Sequence, residues 1–501
     1  MYLSILVFVC GAAVMALEII SSRFFAPYIG TSVLVWTSLI GIVMAGLSCG
    51  YMLGGVYGDR WKSLTKLRLA VGGAGLWVLL IIVLRDPLLS FLEHTLNSVM
   101  LIAVTGTTLL LLVPSILLGM VTPYAVRLSA ESLDTIGHTA GRLSSLSTLG
   151  SIAGTFLAGF AFIPHMGTTA ILFGIAATLV LTAALGSKPQ SIHSTLAFVL
   201  SGGIFLQMHI AERALAWQRT GTVLSTDTPY GSIQVQKLTD VRSGKEFHLL
   251  RIDGGAHGAK YAHDDNGMVF AYTKYYRLAD LWRPNPQKAL LIGGGSYTVA
   301  RDFLLRHPDA EITVLEIDPT VTKIAKEYFG LHDDSRMQIQ HEDARIFFNR
   351  GGAPNAAQEL GTYQMVFGDA FRSESTVPFH LATKEAAERV AALLDDNGVY
   401  LLNVIGSLDG EKSEYPKAQL ATLKSVFPFV MTLDVHNELE PQSMRNIMFI
   451  ASKTPLSTVA SDRRNTELLE MMSRRLDDES WGQDGLVLTD NFAPVESMLH
   501  L

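Results

Sequence analysis

A chain of 501 residues with a mean hydropathy of +0.30 and only 17% charged residues is too long for one ordinary core and too apolar for an ordinary soluble enzyme, so part of it belongs in lipid. Residues 1–210 hold nine Lys/Arg and six Asp/Glu, and the remainder holds thirty and forty. The second half is therefore net acidic, which excludes nucleic acid as a partner, because a phosphate-binding surface needs a concentrated positive field. The two cysteines, Cys10 and Cys49, sit in apolar stretches and read as small hydrophobes, pointing to neither disulfide nor metal.

Seven apolar runs are long enough to cross a bilayer core as helices, at residues 2–22, 32–57, 67–84, 97–121, 143–164, 168–187 and 194–210. They define a transmembrane domain over 1–212 and a lipid bilayer as partner. Met1 and Tyr2 supply no basic start, and the apolar pattern repeats, so a cleaved leader is not expected. Glycines at 41, 46, 50 and 54 and at 150, 154 and 159 allow close helix packing. Glu18 is an ionisable group inside the first run, with Arg23 at its end as the expected partner. The stretch from Asp59 to Arg68 is the most basic loop and is expected to face the cytoplasm.

Beyond Ala211 charge density rises and strand-like alternation appears. Ser232–Leu238 and Phe247–Ile252 read as strands, with turns at Thr228-Pro229-Tyr230-Gly231 and Asp253-Gly254-Gly255, giving a small antiparallel β domain over 221–262. A Rossmann-like domain follows over 263–501. Its main signal is the apolar run Ala289–Ile292, the glycines Gly293, Gly294 and Gly295, a helical stretch, and a second strand ending in Glu316. Glycines that admit a ligand to the backbone, followed by an acid that accepts from ribose hydroxyls, make a nucleotide cleft.

Met337–Ala344 reads as a third strand ending near Asp343, and Tyr363–Phe371 as a fourth ending near Asp369. Lys384–Leu394 is helical, Asn397-Gly398 turns, and Val399–Val404 is a fifth strand. Alternating strands and helices favour a mainly parallel, doubly wound sheet, with ligands at the carboxyl ends of its strands. The fold class expected is an α-helical transmembrane bundle followed by α/β, with the small β region between.

These segments, together with Asp59-Arg60, Asp343-Ala344-Arg345, Asp369–Leu381 and the C-terminal Leu488–Glu496, resemble the spermidine synthase family, the polyamine aminopropyltransferases, in its membrane-fused bacterial form. The resemblance implies a transferase with the S-adenosylmethionine-dependent methyltransferase type of sheet. It implies decarboxylated S-adenosylmethionine, or S-adenosylmethionine itself, as co-substrate, with no metal. Gly293, Gly294 and Gly295 would border the nucleotide, Glu316 would hold the ribose, Asp343 would read the adenine amino group, and Asp369 would face the sulfonium chain or the acceptor. Tyr275 would match the amine-pocket tyrosine, and His257 stands near the position of the familiar glutamine. The partners implied are a small-molecule amine or a membrane-delivered acceptor, with a homodimer left open. The location implied is the bacterial inner membrane, multi-pass, with the soluble half cytoplasmic because the nucleotide is made there.

The pattern departs from the soluble enzymes at several positions. Ser296 replaces an aspartate of the glycine loop, Arg372 stands at the second acid of the post-strand motif with Glu374 nearby, and Arg277 replaces the acid after the pocket tyrosines. A cation beside a cationic diamine is repelled by about 4 kcal/mol at about 4 Å for an effective dielectric of about 20, which counts against putrescine as acceptor. His257, Lys260, Tyr261, His263, Asp264 and Asp265 form a polar cluster that reads either as an acceptor lid or as a solvated loop. Two other functions remain open: a methyltransferase, in which Arg277 or Arg372 pairs with the carboxylate of S-adenosylmethionine, and a transporter or sensor whose Rossmann domain only binds nucleotide.

Overall fold

The computed structural model describes residues 1–29, 33–96, 98–130, 136–163, 165–185, 221–241, 243–263, 267–351, 363–371, 377–436, 438–456, 466–477, 481–482 and 485–499. The chain divides into two compact units, one of Met1–Thr220 with Ser225–Ser232 and the other of Gly221–Leu224 with Ile233–Leu501.

The first unit is helical: α1 (Tyr2–Ile29), α2 (Val33–Trp61), α3 (Leu64–Thr95), α4 (Val99–Gly119), α5 (Val121–Ser129), α6 (Ile136–Phe156, ending in a π turn Leu157–Phe162) and α7 (Thr168–Ala184). Among the described residues five spans, Tyr2–Ala26, Val33–Trp61, Leu64–Thr95, Val99–Ser129 and Ile136–Phe162, are long and apolar enough to cross a membrane, whereas Thr168–Ala184 is a shorter apolar helix. The seventh candidate, 194–210, lies outside the described residues.

Small residues bring helix backbones into contact. A methyl on Gly46 would fall 2.7 Å from the Ser115 side chain, and at Gly50 or Gly54 it would collide with the carbonyls of Ile116 or Met120, so α2 lies directly on α4. Gly150 and Gly154 do the same for α6 against α1, while Gly41 and Gly159 meet open space. Large apolar side chains such as Met44, Leu69 and Phe160 are exposed on the outside, the arrangement expected of a lipid-facing surface. Glu18 is buried on α1.

After the helices comes a four-stranded antiparallel sheet in the order β1 (Thr222–Asp227), β2 (Ser232–Thr239), β3 (Glu246–Ile252) and β4 (Gly255–Tyr261). Asp253 and Gly254 both take positive φ, 47° and 85°, to make the tight β3–β4 turn. Two short helical turns follow, α8 (Ala271–Tyr275) and a 3₁₀ turn Tyr276–Leu281.

The main fold alternates β5 (Lys288–Ile292), α9 (Thr298–Arg306), β6 (Glu311–Leu315), α10 (Pro319–Tyr328), β7 (Met337–Gln340), α11 (Ala344–Asn349), β8 (Tyr363–Gly368), α12 (Lys384–Leu393), β9 (Leu394–Gly406), α13 (Glu414–Lys424), β10 (Phe429–Asp434) and β11 (Arg445–Ser452). Strand order is β10-β11-β9-β8-β5-β6-β7. The five strands from β9 to β7 are parallel, and β10 and β11 add an antiparallel edge that the sequence pattern did not reveal.

Asn397-Gly398, read as a turn before a fifth strand, falls within the span of β9, where the register against β8 shifts between Tyr363/Leu394 and Met365/Val399. The Asn397 backbone amide donates to Asp395 Oδ1 at 3.1 Å, a local turn that accommodates the extra residues of β9 at this register shift. The chain winds from β5 outward to β7, then returns to place β8 on the other side of β5. That reversal opens a crevice at the carboxyl ends of β5 and β8, the place where open α/β sheets bind ligands.

Candidate active site

The glycine loop is built by close approach. Gly293 has φ 94°, and a methyl there would collide with the Asp369 carbonyl, so only glycine lets the two strand ends meet. The Gly293 amide donates to the Leu315 carbonyl and the Asp369 amide to the Ile292 carbonyl, both at 2.9 Å, extending the β5–β6 and β8–β5 ladders into the loops. On its other side the loop meets β4: a methyl on Gly258 would lie 2.6 Å from Ser296 Oγ, and one on Gly295 would lie 2.8 Å from the His257 carbonyl.

Glu316 follows β6 and is buried. Its Oε2 accepts from the Gly294 amide at 2.9 Å and the Gly295 amide at 3.4 Å, and its Oε1 accepts from the Asp318 amide at 2.9 Å. Burial pushes the carboxyl up, against the pull of these amides. Each carboxylate oxygen accepts about two bonds, so Oε1, with one amide on it, has capacity for a second donor. Asp318 and Asp343 both cap the helices that follow them, accepting from Thr320 at 2.8 Å and Arg345 at 2.7 Å. Asp343 Oδ2 also lies 3.1 Å from His380 Nε2, and that hydrogen bond holds its carboxyl below the usual range.

Asp369 ends β8. Its Oδ2 accepts from the Tyr272 hydroxyl at 3.1 Å and its Oδ1 from the Asn403 amide at 3.0 Å. The Tyr276 hydroxyl donates to the neighbouring Gly368 carbonyl at 2.6 Å. Burial pushes the carboxyl up to about 6, although the hydrogen bonds oppose the shift. An apolar pocket lined by Ile292, Phe348, Ala370, Val377 and Leu381 lies beside this strand end.

Not every expected residue converges here. The buried Tyr275 directs its hydroxyl towards the Asp434 carbonyl, 3.5 Å away, whereas Tyr272 and Tyr276 touch the β8 end. Residues four apart share a helical face, whereas Tyr275, next to Tyr276, points elsewhere, which is the signal that singles out 272 and 276. His257 lies on β4, where burial pushes its imidazole down to about 4. One ring nitrogen bonds the Ile252 backbone, and Nε2 is buried without a hydrogen-bond partner among the described residues. Lys260 and Tyr261 are also on β4, so that part of the polar cluster is strand rather than lid, because its backbone pairs with β3. Asp264, Asp265, Arg372 and Glu374 lie outside the described residues.

Arg277 does not stand free as a pocket cation. Its Nη2 and Nε donate to Asp302 Oδ1 and Oδ2 on α9 at 2.6 and 3.1 Å, and Arg306 Nε donates to the same carboxylate at 2.8 Å. A guanidinium held bidentately has its charge compensated, so repulsion of a diamine by Arg277 does not follow.

Residues 272–457 match the model of the spermine/spermidine synthase domain. This stretch of the chain is a spermine/spermidine synthase domain. Proteins of this family are transferases. Among its relatives, a polyamine aminopropyltransferase of Vibrio vulnificus is 26% identical over 246 residues, covering 46% of this chain and 76% of that protein. A probable polyamine aminopropyl transferase of Bifidobacterium longum is 26% identical over 320 residues, covering 60% and 68%. The crystal structure of a probable spermidine synthase from Corynebacterium glutamicum is 19% identical, covers 54% of this chain and 96% of its own, and has a TM-score of 0.45. The family match covers Tyr272, Glu316, Asp343, Asp369 and Asn403 but begins after His257.

Proposed function

We propose that this protein is a membrane-bound aminopropyltransferase that moves an aminopropyl group from decarboxylated S-adenosylmethionine to an amine. The observation that carries the reading is Asp369: a carboxylate at the crevice, bonded only to neutral donors among the described residues, beside a glycine loop already gripped by Glu316. Relatives that carry out polyamine aminopropyl transfer support the choice of group.

In this reading the Gly293–Gly295 backbone and Glu316 hold the ribose, and the apolar wall beside Ala370 takes the adenine, whose amino group donates to Asp343. The amine nitrogen attacks the carbon next to the sulfonium. A C–N bond forms, the C–S bond breaks, and its electron pair leaves with sulfur as a neutral thioether. The extra proton on nitrogen passes to the Asp369 carboxylate. The chain's contribution is alignment and proton acceptance, since the donor carries its own activation. His257 Nε2 supplies an uncharged acceptor for the amine.

Methyl transfer would call for a cation to meet the donor's carboxylate; of the two arginines named for that role, Arg277 is committed to Asp302 and Arg372 lies outside the described residues. Calorimetry on the detergent-purified protein with both nucleotides tests the reading. Preference for the decarboxylated form is expected, and preference for the carboxylated form would overturn it. The five apolar spans anchor the protein in a bilayer, and a donor made in the cytoplasm requires the soluble half to face it. Protease accessibility in sealed inverted vesicles checks that placement: digestion of the soluble half there supports it, and protection refutes it.

A further inference from the structure

Asp369 is also held from behind, away from the tyrosines, by two strands that contribute no charge to it. Asn403 lies on β9 and is 1% exposed; its Nδ2 donates to Asp369 Oδ1 at 3.0 Å. Asn446 lies on β11, where the residue opposite Asn403 is Met448, so Asn446 is its diagonal neighbour two positions away. Asn446 Nδ2 donates to Asn403 Oδ1 at 3.1 Å. Both ends of the Asn403 amide are thus specified. A half-turn of that amide would set its carbonyl against a carboxylate and its NH₂ against another NH₂, losing two bonds and creating two repulsions in a buried place.

We propose that Asn446 is a positioning residue that acts through Asn403, fixing Asp369 Oδ1 so that Oδ2, shared with Tyr272, is the oxygen that takes the amine proton. This rests on the reading of Asp369 as proton acceptor. The arrangement has a direction: the polarity of a residue on the antiparallel edge of the sheet is transmitted across β9 to the end of β8. Among the described residues the ionisable groups facing Asp369 are the hydroxyls of Tyr272 from α8 and Tyr276 from the 3₁₀ turn. From β9 comes the neutral Asn403, and from the glycine loop only backbone. Asn446 therefore has no competing charge to work against at this carboxylate.

The test is Asn446→Asp in the full chain, with infrared spectroscopy of the protonated carboxyl band, assigned by its loss in Asp369→Asn. An acceptor at 446 turns the Asn403 NH₂ towards β11 and its carbonyl towards Asp369. The titration midpoint is then expected to rise by about one unit or more, a tenfold change in proton affinity, and the acid limb of the transfer rate rises with it. Asn446→Leu, which cannot donate, should move the midpoint in the same direction by less. A midpoint unchanged in either folded variant overturns the proposal. The infrared measurement needs no turnover, so it reports on the relay even if the transferred group is misassigned. A midpoint that moves while the acid limb of the rate stays in place removes Asp369 as the acceptor, and Asn446's role with it.

Discussion

The Tyr272 hydroxyl donates to Asp369 Oδ2 at 3.1 Å, while Tyr275, three residues along the same short helix, directs its hydroxyl towards the Asp434 carbonyl. Tyr272→Phe removes a donor that favours the ionised carboxylate. It should shift the acid limb of the rate to higher pH and lower the rate near neutrality by about tenfold, the loss expected for one hydrogen bond to a charged group. Tyr275→Phe should leave the rate within about twofold. Steady-state rates of the two variants across pH check this, and equal losses would place the pocket at Tyr275 instead.

The Asp369 carboxyl, raised to about 6, predicts an acid limb in the rate near that pH. The sign for stability is the opposite of that for a salt-bridged acid. Folding favours the neutral form, so its contribution is fully present below the unfolded value of about 3.9 and is lost as pH rises through about 6. Asp369→Asn should therefore abolish transfer yet raise the melting temperature of the soluble unit relative to wild type at pH 8. A lower melting temperature at pH 8 would contradict the assigned shift.

Glu316 accepts three backbone amides, so Glu316→Ala frees those amides and, in the proposed reading, also removes the ribose acceptor. Calorimetry should show nucleotide binding lost, at least a hundredfold, with Glu316→Gln intermediate because an amide keeps one acceptor oxygen. Retained affinity in the alanine variant would mean that the nucleotide lies elsewhere.

Gly258 has ordinary strand geometry, but a methyl there would meet Ser296 Oγ at 2.6 Å and the Ser296 amide nitrogen at 2.7 Å. Gly258→Ala should push β4 away from the glycine loop and cost about 1–3 kcal/mol, as for other overpacked sites. Chemical denaturation gives the stability, and nucleotide affinity should fall with it. Unchanged stability and affinity would show that the loop adapts without cost.

Arg277 and Asp302 supply a control on donor choice. Arg277→Ala should destabilise the unit, because it leaves a partly buried carboxylate with one fewer cation, yet it should not change the ratio of affinities for the two nucleotides. A change in that ratio would bring Arg277 into the donor site.

The nucleotide signature was legible because it is local. An apolar strand, glycines that permit a turn, a helix and an acid after the next strand occupy about thirty residues, and their roles follow from backbone geometry that short stretches dictate. The partners of Asp369 were not legible. Tyr272 and Asn403 lie 97 and 34 residues from it in sequence, and only the rotation of a short helix and the register of β9 bring them to its two oxygens. Arg277 shows the same limit: the chain announces a cation among pocket residues, but α9 supplies the carboxylate that claims it. The edge strands β10 and β11 were missed since their pairing is antiparallel and breaks the β–α alternation used to read the rest.

By itself, the order of residues determined that this protein has apolar helices followed by an acidic α/β half with a glycine-rich loop after a buried strand, because hydropathy and glycine spacing act over one element at a time. Only the folded arrangement decided which tyrosine reaches Asp369, which arginine is already paired with a carboxylate, and which way an asparagine amide faces. Those outcomes depend on distances between groups far apart along the chain, and such distances exist only once the strands have paired.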